Sequence, residues 1–186
     1  RDMVRQIFAD NGIGIIETAM AWWSSRDDFR LRVAIEGGQL IEQAQIQGRG
    51  VLLVGAHYTS LDLGGILLAP SYPYYATYQR HGNALMDRII RRGRLNHLPG
   101  IVEREDIRQV IRLLKQGKVV WLAPDQDVGP DRSVFAPFFG IETATTPIVS
   151  RLATATGAKV LQFSHHSTHQ DQRYLLTVSD NLGCNT

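Results

Sequence analysis

The chain has 186 residues, 44% of them hydrophobic and 20% charged, with 20 lysines and arginines against 18 aspartates and glutamates for a net charge of +2. That is about one domain's worth of chain, able to bury a sizeable core, and its charge balance is too even to imply nucleic acid as a partner. A single cysteine, Cys184, excludes an internal disulfide framework and a CxxC metal site, and no run reaches the roughly 20 apolar residues that cross a bilayer.

In chain order, RDMVRQIF at the start is neither a signal peptide nor a membrane span. Residues 3–23 carry apolar side chains at helical spacing and end in Trp22 and Trp23. Residues 28–46 read as a second helix, with Phe29, Val33, Leu40, Ile41 and Ala44 on one face and Gly48 and Gly50 as the stop. Residues 51–54 are a short buried strand, 61–69 a helix ending before Pro70, and 74–78 a second strand. A basic helix follows over 84–95, and another over 105–116, closed by Gly117. VVWLAP, 119–124, is a third buried strand that runs into Asp125. Thr146 and Pro147 supply a hydroxyl N-cap and a proline at the first helical position, predicting a helix that ends at Gly157. Residues 158–164 and 174–178 are two further strands, close enough in sequence to form a hairpin. The chain stops at NLGCNT with no stop signal after RYLLTVSD, as a segment of a longer protein would.

Strands alternating with helices predict an α/β fold, a single domain with a mixed, largely parallel sheet flanked by helices. In such sheets sites gather where strands give way to loops. His57 and Asp125 each follow a predicted strand, which places them in one candidate pocket.

The stretch GAHYTSLDLGG adds Asp62 five residues after His57. On one continuous helix the two would lie about 140° apart. They meet only if His57 is in the turn and Asp62 in the first helical turn. A histidine held by a carboxylate is a general base. The plainer reading makes Asp62 a helix N-terminal acid and His57 a polar loop residue. Ser60 reads as a helix cap rather than a triad nucleophile, since no GxSxG elbow is present. A metal site from His57, Asp62, Asp125 and Asp127 matches no ligand spacing that identifies a metal.

Arg80 follows the strand-like YYATY and is placed at a sheet end, where its planar fork suits a carboxylate, a phosphate or an oxyanion. Asp125 is its candidate partner. Arg88, Arg91 and Arg92 sit at helical spacing, either as a basic binding face or as a solvated one. The tyrosines of 72–78 read as strand packing more than as a base-stacking platform. VFAPFFG, 134–140, is apolar enough to line an acyl pocket, touch a bilayer or join the core.

Together, GAHYTSLDLGG, YQRHGNALMDRIIRRGR, VVWLAPDQDVGP and SVFAPFFGIETATTP resemble the ordered motifs of the bacterial lipid A late acyltransferases, the lauroyl and myristoyl enzymes of lipopolysaccharide biosynthesis. The resemblance runs from about Phe8 to Ser179. HxxxxD alone would be weak, because glycerolipid acyltransferases share it, and many members carry glutamate where this chain has Asp62. The resemblance implies a glycerolipid-acyltransferase-like fold at the cytoplasmic face of the inner membrane, reached by an N-terminal anchor that this chain lacks. It implies transfer of an acyl group from acyl carrier protein to a hydroxyl of a lipid A precursor, with no cofactor and no metal. His57 would be the base and Asp62 its orienting carboxylate. Arg80, held by Asp125, would steady the oxyanion. Asn83, Arg94 and Asp127 would contact substrate, and the basic helix would meet either lipid phosphate or the acidic carrier. Three other readings stay open: another glycolipid or phospholipid acceptor, a non-catalytic lipid-binding module, and a metal-dependent hydrolase.

Overall fold

The computed structural model describes residues 2–24, 33–126, 129–168 and 173–180. The first helix, α1 (Asp2–Trp23), covers the segment predicted for it. The predicted helix over 28–46 is corrected. Val33–Glu36 is a strand, β1, and only Gln39–Ile46 is helical, α2. Residues 28–32 lie outside the described residues. Val33 and Ile35 obey a period of two and pack against the core, and Gly37 then turns the chain at φ 74° with its α-carbon against Val178. A helical face drawn through Val33 missed that break.

From there the chain alternates. The strand β2 is Val51–Val54, α3 is Leu61–Leu68, β3 is Tyr75–Tyr78, and α4 is Ala84–Leu95. They are followed by β4 (Gly100–Glu103), α5 (Ile107–Lys115) and β5 (Val119–Leu122). Two strands unread in the sequence, β6 (Val134–Phe138) and β7 (Ile141–Thr145), form a separate antiparallel hairpin. Then come α6 (Ile148–Thr156), β8 (Lys159–Thr168) and β9 (Arg173–Ser179). Helix α6 starts one residue later than predicted. Pro147, in place of Thr146, takes the cap position, with no side-chain cap bond. Its end at Gly157, φ 69°, is as read.

Seven strands form one sheet in the order β1-β9-β8-β2-β5-β3-β4. Every neighbouring pair is parallel except β8 with β9, which is the predicted hairpin. The side chains of β2 alternate between two cores, with Val51 and Leu53 on one face and Leu52 on the other. On the first face Leu53, Trp121, Leu161 and Phe163 pack under α3, with Ala21 of α1 and Ile41 of α2. On the second, Leu52, Val120 and Leu122 meet Val110, Leu113 and Leu114 of α5 and Leu152 of α6. Each such fully buried side chain contributes about 1.5–3 kcal/mol of burial. The chain leaves β2 toward β3 over one face and leaves β5 toward β8 over the other. The crevice beyond β2 and β5 is therefore the switch point of the sheet, where open α/β folds bind ligands.

Candidate active site

The ladder between β2 and β5 sets the site. Val54 is the register partner of Leu122, and the Gly55 N–H continues the ladder to the Leu122 carbonyl at 3.0 Å. His57 and Asp125, each three residues further on, come out abreast. His57 Nδ1 lies 2.6 Å from Asp125 Oδ1, and the His57 backbone N–H donates to Asp125 Oδ2 at 2.8 Å. Both carboxylate oxygens therefore hold the same residue. Burial alone would raise the Asp125 carboxyl, but the hydrogen bonds from His57 outweigh it and hold the group below its ordinary value. An Nδ1–H given to Asp125 makes Nε2 the basic nitrogen, and this nitrogen faces Gln126 Nε2 at 3.4 Å. The side chains of His57 and Asp125 are 43% and 38% exposed, so a substrate can reach them.

Asp62 is held elsewhere. Trp22 Nε1–H donates to its Oδ2 at 2.9 Å, and Arg94 grips its Oδ1 through Nε at 2.8 Å and Nη2 at 2.7 Å. Asp62, Gly65 and Ile66 share one side of α3, which faces Arg94 and Tyr74 across a crevice of about 20 Å3. That space is about one water in size and no acyl pocket. The side chains of Asp62 and Arg94 are 13% and 16% exposed, and the pair clasps α1, α3 and α4 together. Asp62 also sits in the first turn of α3, as the plainer reading has it. The expected contact between His57 and Asp62 is thus replaced by His57–Asp125, because α3 turns Asp62 toward α4 while the turn before it turns His57 toward β5.

The other predicted residues separate likewise. Arg80 pairs with Glu103, Nε to Oε1 at 2.7 Å, and not with Asp125, since β4 lies next to β3 and its last residue faces Arg80. Asn83 caps α4, its side-chain oxygen accepting the N–H groups of Leu85 and Met86 at 3.0 and 3.1 Å. Asp127 lies outside the described residues. Ser60 is at the cap position of α3, but its hydroxyl lies 3.1 Å from His165 Nε2 and makes no cap bond. Gln126, Glu103, Trp22 and His165 had no signal at sequence level beyond lying near a strand or helix end. Among the described residues, no three His, Cys, Asp or Glu side chains group as metal ligands do.

On the outer side of α4, Asp87, Arg88, Arg91, Arg92, Leu95 and Asn96 line an open hollow of about 470 Å3. Tyr78 anchors this helix. Its hydroxyl donates to Asp87 at 2.6 Å, and the guanidinium groups of Arg91 and Arg94 lie 5.8 and 5.3 Å from its ring centre. Tyr74, Ala76 and Tyr78 are buried while Tyr75 and Thr77 between them are partly exposed, an alternation that fits the tyrosine run to strand packing. The β6–β7 hairpin, by contrast, exposes Val134, Phe135, Phe138, Phe139 and Ile141.

The profile described as bacterial lipid A biosynthesis acyltransferase matches residues 1–186. The chain is 39% identical over 157 residues to the lipid A biosynthesis palmitoleoyltransferase of Escherichia coli K12, covering 82% of this chain and 51% of that protein. It is 40% identical over 165 residues to the lipid A biosynthesis lauroyltransferase of the same organism, covering 88% and 54%. It is 29% identical over 137 residues to the myristoyltransferase, covering 70% and 41%. The chain thus spans about half the length of the curated relatives it matches.

Proposed function

The chain belongs to the bacterial lipid A biosynthesis acyltransferase family, and from that premise we propose that it moves a fatty acyl group from acyl carrier protein to a hydroxyl of a lipid A precursor. The observation that carries the chemistry is the doubly held His57–Asp125 pair at the switch point of the sheet. His57 Nε2 removes the proton of the acceptor hydroxyl as its oxygen attacks the thioester carbonyl. Asp125 fixes the tautomer and offsets the imidazolium charge. The tetrahedral intermediate then collapses, its C–S bond breaks, and the imidazolium returns the proton to the departing thiolate. No covalent enzyme intermediate is formed, and much of the rate comes from holding two lipid-linked substrates in line.

Arg80 is the proposed donor to the oxyanion. Its bond to Glu103 occupies one edge of the guanidinium, and its side chain is 70% exposed. Asp62 keeps the frame around His57, in place of the direct role first expected of it. Head-group binding passes from Asn83 and Arg94, which are spent on the α4 cap and on Asp62, to the arginine-lined hollow of α4. The exposed aromatic hairpin suits contact with a bilayer, where such a lipid acceptor resides. Among the described residues, no helix is long and apolar enough to cross a membrane.

The test is transfer by the intact protein from acyl carrier protein thioesters of several chain lengths to a tetra-acylated lipid A precursor, comparing wild type with His57→Ala. Turnover lost with lipid binding retained is the expected result. Transfer surviving the substitution would remove His57 from its role. No transfer by the wild type would favour another acceptor or a binding module.

A further inference from the structure

His165 lies on β8, outside the catalytic pair, yet its contacts converge on the turn that carries His57. Its Nε2 meets the Ser60 hydroxyl at 3.1 Å. The Tyr58 ring stands edge-on to it, centres 5.3 Å apart at 89°, and Phe163 stacks beneath at 6.1 Å and 24°. Gly64 leaves the space the ring occupies, since a β-carbon there would overlap the imidazole. The turn from Gly55 to Ser60 has one short internal backbone bond, from the Tyr58 N–H to the Ala56 carbonyl at 3.0 Å. Its side chains are fixed at two points, His57 by Asp125 and Ser60 by His165.

The environment disfavours a charged ring. Among the described residues, His165 Nδ1 is buried with no hydrogen-bond partner. Burial holds its pKa below the ordinary 6.5, with the neighbouring His166 acting in the same direction and a hydrogen bond with Ser60 opposing. The groups packed on it are Tyr58, Ser60, Gly64 and Phe163, with Leu176 opposite on β9. None is a carboxylate that would stabilise a cation. Ser60 gives up its usual helix-capping bond for this contact, though a free cap is ordinarily worth about 1 kcal/mol.

We propose that His165 is a positioning residue, which acts through Ser60 and Tyr58 to hold the 55–60 turn so that His57 reaches Asp125 in its working orientation. The kinetic part of this inference rests on the acyltransferase reading above, and the structural part does not.

Two measurements separate them. In protein labelled with 15N-histidine, the His57 Nδ1–H signal of the bond to Asp125 should be present in wild type and broadened or lost in His165→Ala. This needs no substrate. In the transfer assay, His165→Ala should lower kcat about ten- to a hundredfold, as a displacement near 1 Å does, with KM within about twofold if ground-state binding is untouched. His165→Gln, whose amide can still donate to Ser60, should recover most of the loss. Ser60→Ala should reproduce the His165→Ala defect, and the double variant should be no worse than either single. Ser60→Ala also keeps the test intact if His165→Ala does not fold. An unchanged His57 signal in either variant overturns the proposal. So does equal loss in the glutamine and alanine variants with wild-type His57 spectra. If the wild type transfers nothing, the reaction reading fails and the spectra alone decide the positioning role.

Discussion

His57 and Asp125 stand at the same height above adjacent parallel strands, each three residues beyond the register partners Val54 and Leu122. The ladder is what brings the two residues abreast. A sequence motif draws the eye to Asp62, five residues after His57, but closeness along the chain is the weaker guide here. Parallel neighbours that end together bring residues 68 positions apart to 2.6 Å.

The first prediction concerns Asp125. In Asp125→Asn the amide can donate to Nδ1, which moves the imidazole proton to Nε2 and removes the base from the substrate side. The expected fall in kcat is about 10²- to 10³-fold. Stability should change by under about 1 kcal/mol, because the pair is partly exposed. The carboxyl is held below its ordinary 3.8. Its contribution to stability is therefore fully present above 3.8 and is lost as pH falls through the lower folded value. Single-turnover transfer and thermal unfolding across acid pH check both parts. A kcat near wild type would sink the assignment.

Asp62 should behave in the opposite way. Asp62→Ala strands Arg94 and the Trp22 N–H in a nearly closed setting, at a cost of about 3 kcal/mol. Replacing Arg94 by methionine in the same chain should restore much of that stability, since both charges are then gone. Urea midpoints of the two singles and the double decide it. If Asp62→Ala loses under about 0.5 kcal/mol and still abolishes transfer, Asp62 serves His57 directly and its hold by Arg94 is not its working state.

What could be read from residues alone divides along physical lines. Runs such as 51–54 and 119–122 are apolar and closed by glycine or proline, so their strands were plain. The pairing of His57 with Asp125 was only half legible. Both follow strands, but which strands are neighbours is a property of topology, not of local sequence. β1 resembles helix in sequence because Val33, Leu40, Ile41 and Ala44 fit a helical face, and only the Gly37–Gly38 break separates it from α2. The hairpin was missed because Phe135, Phe138 and Ile141 are apolar and yet exposed, which inverts the rule used to find strands. Which carboxylate holds each arginine is likewise a matter of topology: Glu103 takes one edge of Arg80, and Asp62 holds Arg94.

Charge on α4 gives a third prediction. Arg88→Glu combined with Arg92→Glu reverses the sign of the hollow without touching the Arg94–Asp62 clasp. KM for the anionic substrate that uses this face should rise, and kcat at saturation should hold. The rise should shrink in high salt, because exposed charges are screened over about 10 Å at 0.1 M. Varying carrier and lipid acceptor separately tells which one binds there. A KM unchanged for both leaves α4 as a solvated helix.

The tip of the hairpin allows a test in which fold and binding move in opposite directions. Phe139 and Gly140 form the two-residue turn between Phe138 and Ile141, with φ of 50° and 79°. Both values are positive, as a hairpin turn of this length favours, and asparagine suits the first position far better than phenylalanine. Left-handed backbone costs a residue with a β-carbon about 1–2 kcal/mol. The Phe139 ring recovers little of this by packing inside the protein, since the residue is 92% exposed, and among the described residues its aromatic contact is with its neighbour Phe138, ring centres 4.6 Å apart. If the ring is kept for the bilayer, Phe139→Asn should leave the fold as stable or more so and yet weaken binding to phospholipid vesicles about tenfold or more. That loss corresponds to the roughly 1.5–3 kcal/mol of one buried aromatic side chain. Phe138→Ser should weaken binding by a similar amount with no gain in stability. Vesicle co-sedimentation alongside thermal unfolding reads both quantities. Undiminished vesicle binding in the two variants would mean that the hairpin does not carry the membrane contact.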